Sequence, residues 1–98
     1  MKITYHHPRI HTIDVPPFYW DDHRRAYTSD DDPIVEEGPR GKVRVTLSHR
    51  DLLELRSRAD YTADYAEGND GWTLGLRSSA RATRRAIDRY LEQQEDAA

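Results

Sequence analysis

The chain contains no cysteine in its 98 residues. That excludes disulfides, thiolate catalysis and the common structural zinc sites, though it leaves the redox compartment open. It has no apolar run near eighteen residues, so no membrane-spanning helix is expected. Met1-Lys2-Ile3-Thr4 enters an alternating pattern at once, which argues against a signal peptide and for a soluble, cytoplasmic protein. Large aliphatic and phenyl side chains are scarce: Leu, Ile, Val and Phe together number seventeen. A composition that poor is compatible with disorder only when net charge is also high. Here net charge is only −3, so a folded domain with a thin core is expected, of the kind often completed by self-association or a partner. Lysine is almost absent, two against thirteen arginines, a bias that suits a GC-rich coding sequence of bacterial or phage origin.

What is present is periodicity from residue 42 onward. Val43, Val45 and Leu47 alternate with Lys42, Arg44 and Thr46, the pattern of a half-buried strand. Ser48 then precedes a helical run and has Asp51 three residues on, a short form of the capping box. Leu52, Leu55, Ala59, Thr62, Ala63 and Ala66 recur at three- and four-residue steps on one helix face, and Gly68 offers a left-handed stop. After the Asn69-Asp70-Gly71 turn, Trp72, Leu74 and Leu76 alternate with Thr73, Gly75 and Arg77, which reads as a second strand. Ser78 or Ser79 would cap a last helix with Ala80, Thr83, Ile87, Tyr90, Leu91 and Gln94 inward.

Strand, helix, strand and helix over 42–95 suggest a right-handed parallel crossover, with an antiparallel pair and intervening helix as the rival. Residues 1–15 read as an edge strand region bent or broken at Pro8. Residues 16–41 read as an acidic, aromatic-containing loop, with a short helix starting at Pro17 inside it. The expected whole is one domain, 1–98, of α+β or small α/β class: a two-layer sandwich of about three strands with two helices on one face.

Charge is unevenly divided. Residues 1–39 sum to −4, residues 40–91 to +4, and Glu92, Glu95 and Asp96 bring the total to −3. Such a surface is suited to a homodimer, through the open sheet edge, or to an acidic loop folded over a basic helix.

The chemistry-bearing clusters are weak. His6, His7 and His11 are interrupted by Pro8 and lack a carboxylate at ligand spacing, so histidines on a solvent-facing strand are the expectation rather than a metal site. Ser48 beside His49 is explained as a helix cap. The acidic residues between Asp21 and Glu37 lack the alternate-residue pattern of a calcium loop. No cofactor is implied, and a small metal-dependent hydrolase has no constellation to support it. Arg77, Arg81, Arg84, Arg85 and Arg89 offer an anion-binding or nucleic-acid face, set against ordinary pairing of Arg84 and Arg89 with Asp88 and Glu92. Phe18, Tyr19 and Trp20 suggest either a partner-binding anchor or a cluster pinning the loop to the sheet. Tyr61 and Tyr65 lie four residues apart, away from the apolar stripe of their helix, as a contact surface or a local stack. The function read from these residues is that of a small non-enzymatic accessory or regulatory protein acting by protein–protein contact. A nucleic-acid-binding module is the alternative.

Overall fold

The computed structural model describes residues 10–26 and 33–97, the last three as backbone only. In chain order these form β1 (Ile10–Val15), α1 (Pro17–Ala26), β2 (Ile34–Glu37), a 3-10 turn (Pro39–Gly41), β3 (Val43–Ser48), α2 (His49–Tyr65) and α3 (Gly71–Ala97). The fold is α+β: a three-stranded antiparallel sheet in the order β1-β3-β2 packed against three helices. His6 and His7, with the rest of the N-terminal strand region before Ile10, lie outside the described residues, as do Asp30, Asp31 and Asp32 of the acidic stretch.

Register follows from alternation. Ile13 pairs with Val45 and Val45 with Val35, so these three share the inner face, while Asp14, Arg44 and Glu36 share the outer one. The outer face is polar at its centre, with Ile10 and Ile34 exposed on it: Thr12 and Thr46 hydroxyls lie 3.0 Å apart, and Arg44 grips Asp14 through two bonds of 2.8 and 3.2 Å. Antiparallel sheets accept such a solvated face. On the inner face Val15 and Val45 are wholly buried, but Val35 remains 39% exposed. The helical layer therefore covers β1 and β3 and stops short of β2.

Between β2 and β3 the chain turns through Arg40 and Gly41, both at positive φ (55° and 76°). Gly38 permits the tight closure, because a Cβ there would stand 3.0 Å from the Lys42 carbonyl oxygen. Ser48 caps α2 as expected, its hydroxyl accepting from Asp51 N–H at 3.1 Å. Leu52, Leu55, Ala59 and Ala63 are buried against Leu76, Ala80, Thr83 and Ile87 of α3. Small residues in both stripes let the helices lie close.

Three expectations are corrected. Residues 72–77 are the first turns of α3, not a strand, so there is no strand–helix–strand–helix unit over 42–95 and no parallel crossover. Alternation over six residues did not outweigh the three- and four-residue spacing of Leu76, Ala80, Thr83 and Ile87, which continues the helix backward. Asp70, not Ser78 or Ser79, caps it, accepting from Thr73 N–H at 2.8 Å. The stretch 16–41 is no simple loop: it supplies α1, starting at Pro17, and the third strand, β2.

Candidate functional surface

The aromatic triplet is drawn inward by α1. Helical spacing sends Tyr19 (1% exposed) and Trp20 (3%) into the core beside Ile13 and Val15, where neither serves as a surface anchor. Phe18 is half-buried and packs edge-on to Trp72, with ring centroids 5.5 Å apart. Its ring rests on α3 at Gly75, where a Cβ would approach to 3.0 Å. Burial pushes the Tyr19 phenol above its ordinary range. Ser79 on α3 offers its hydroxyl to Tyr19 N–H at 2.9 Å, satisfying a donor in the first turn of α1.

Most of the arginines serve the fold. Arg84 bonds both Asp60 on α2 and Asp88 one turn along, and Arg56 on α2 reaches Asp88 at 2.6 Å. Two arginines and two aspartates thus lace the α2–α3 seam. Arg81 donates to the Ala63 carbonyl at 3.4 Å, placing a cation at the negative end of α2. Arg77 is half-buried. Arg85 and Arg89 are exposed and enter no ion pair among the described residues. Arg89 joins Lys42, Tyr90 and the Arg44–Asp14 pair around an open hollow of about 340 Å³ at the β1 edge.

One arrangement was not visible in the sequence. His11 is 4% exposed, on the inner face, rather than on a solvent-facing strand. Its Nδ1 lies 2.7 Å from the Tyr90 hydroxyl and its Nε2 lies 2.9 Å from His49 Nδ1. Desolvation raises the Tyr90 pKa, keeping the phenol protonated. The phenol and the two imidazoles thus form one hydrogen-bonded chain whose donor directions follow the His11 tautomer. The residues are 79 and 38 positions apart, so no spacing rule links them. Among the described residues no group of three or more metal-ligating side chains converges.

Tyr61 and Tyr65 stand where the helical spacing puts them, on the outward side of α2. They are 65% and 63% exposed, with the rings tilted against each other at 4.9 Å between centroids. Leu53, 40% exposed, continues the same side, and a hollow of about 360 Å³ opens at Ser57, Arg58, Tyr61 and Thr62. Ser57 also borders a second hollow of about 320 Å³ with Leu53, Arg56, Asp60 and Arg84. The surface offers two bulky side chains, Leu53 and Tyr61, flanking a small one, with charged borders.

These features define an α+β protein with a part-buried polar chain and exposed tyrosines on the outer side of α2. No protein-family model, curated protein or solved structure matches the chain. Among the described residues no helix is long and apolar enough to cross a membrane.

Proposed function

We propose that this is a non-enzymatic accessory or regulatory protein that acts by protein–protein contact, with the outward face of α2 as its contact surface. The supporting observation is the exposure of Tyr61 and Tyr65 on a helix whose opposite face is core. Tyrosine supplies a large rigid apolar body with a polar tip, which is why it concentrates in interface centres. Neither ring belongs to the buried stripe. Replacing both, Tyr61→Ser with Tyr65→Ser, should therefore leave the melting temperature nearly unchanged while sharply reducing association. Sedimentation and affinity recovery of a partner from the native host provide the test. Values unchanged in the double variant would assign the pair to the solvated surface.

A second reading, binding of nucleic acid or another polyanion, draws on the exposed Arg85, Arg89 and Lys42. It is weaker than the sequence pattern suggested, because Arg84 and Arg81 are engaged in holding α3 to α2. Three cations without an aromatic stacking face make a poor nucleic-acid footprint.

A further inference from the structure

Resting on the contact-surface reading, we propose that the α2 face pairs with a second copy of this chain, antiparallel, about a two-fold axis at Ser57. Arg50, Leu53, Ser57, Tyr61 and Asp64 follow one another at three- and four-residue steps and form the outward seam of α2. The seam is symmetric about its middle. Leu53 and Tyr61 stand four residues to either side of Ser57, and Arg50 and Asp64 stand seven.

A two-fold axis through Ser57 converts that symmetry into complementarity. Each Leu53 meets the Tyr61 of the second copy, each Arg50 meets its Asp64, and the small serines cross at the centre where the helices approach most closely. Along the borders Arg56 and Asp60 keep their pairs with Asp88 and Arg84 of the same copy, so the seam itself carries the choice of direction. A parallel pairing would instead set Arg50 on Arg50 and Asp64 on Asp64, and like charges in register are penalised. From Arg50 to Asp64 the seam runs about 21 Å. That places the interface at the small end of stable sizes.

The test uses the absence of cysteine. Ser57→Cys gives the protein a single thiol that the proposed axis places against itself, and mild oxidation should yield a covalent dimer rapidly. Ser78→Cys, exposed on α3, should not. In sedimentation the native protein should pass from monomer to dimer across the micromolar range. Arg50→Asp alone or Asp64→Arg alone should weaken that association about tenfold. The exchanged double variant should recover it. Any of three results overturns the proposal: a monomer at all concentrations, a double variant no better than the singles, or Ser57→Cys cross-linking no faster than Ser78→Cys. A protein that stays monomeric yet loses a different partner on Tyr61→Ser, Tyr65→Ser removes self-pairing and leaves the contact-surface reading intact.

Discussion

His23 shows how one buried side chain couples stability to acidity. It is 5% exposed, stacked on Trp20 with centroids 5.9 Å apart and tilted against Tyr19. Burial, and then the Arg58 cation, lower its pKa from 6.5 to about 4. Above pH 6.5 the imidazole is neutral folded or unfolded and costs nothing. Between 6.5 and about 4 only the unfolded chain takes the proton, so stability falls through that window by about 3 kcal/mol and the contribution is flat below it. Urea melts at intervals from pH 7.5 to 4 should show the decline, and His23→Gln should remove most of it. Asp14 works in the same direction, in a lower window. Its bond to Arg44 depresses the carboxyl below 3.8, so its contribution is present above that pH and is lost under further acidification. Nothing in the residues around His23 announces its burial, since it arises only when α1 turns the histidine under the aromatic pair.

Among the elements, α3 was hardest to read and shows why. Trp72, Thr73 and Gly75 have poor helix propensity, and alternation over six residues fits a strand as well as one edge of a helix. The turn settles it with Asp70 as cap, and Gly75 is kept for the Phe18 ring rather than for a bend. By contrast β3, α2 and its Ser48 cap were legible, because their periods run through uninterrupted apolar positions. The outward Tyr61 and Tyr65 were legible for the same reason, whereas His11, His49 and Tyr90 were not, being joined only by tertiary packing. Ser79 carries the prediction at this scale. On an isolated helix Ser→Ala is favourable by a few tenths of a kcal/mol. Here it removes the acceptor for Tyr19 N–H, so Ser79→Ala should lower stability by about 1 kcal/mol. Chemical denaturation resolves that difference, and an unchanged or raised midpoint would contradict the assigned tie between α1 and α3.

At the scale of the whole molecule, few large side chains hold three helices to a narrow sheet. Trp20 is one of them, and Trp20→Ala should cost about 3–5 kcal/mol, a large share of the 5–15 kcal/mol typical of a small domain. A steep fall in melting temperature, with association lost only as the fold is lost, is the expected result. Loss of association at an unchanged melting temperature would return Trp20 to the surface role. The strand order has a further consequence for the time course of synthesis. β1 is made before its neighbour β3, and the bonds from His11 to Tyr90 and from Tyr19 to Ser79 span 79 and 60 residues. At roughly 5–20 residues per second of translation, the first strand and first helix wait several seconds on the ribosome for the helix that covers them. Through that interval Ile13, Val15, Tyr19 and Trp20 are available to chaperones, and Leu52, Leu55, Ala59 and Ala63 of α2 wait for the same helix.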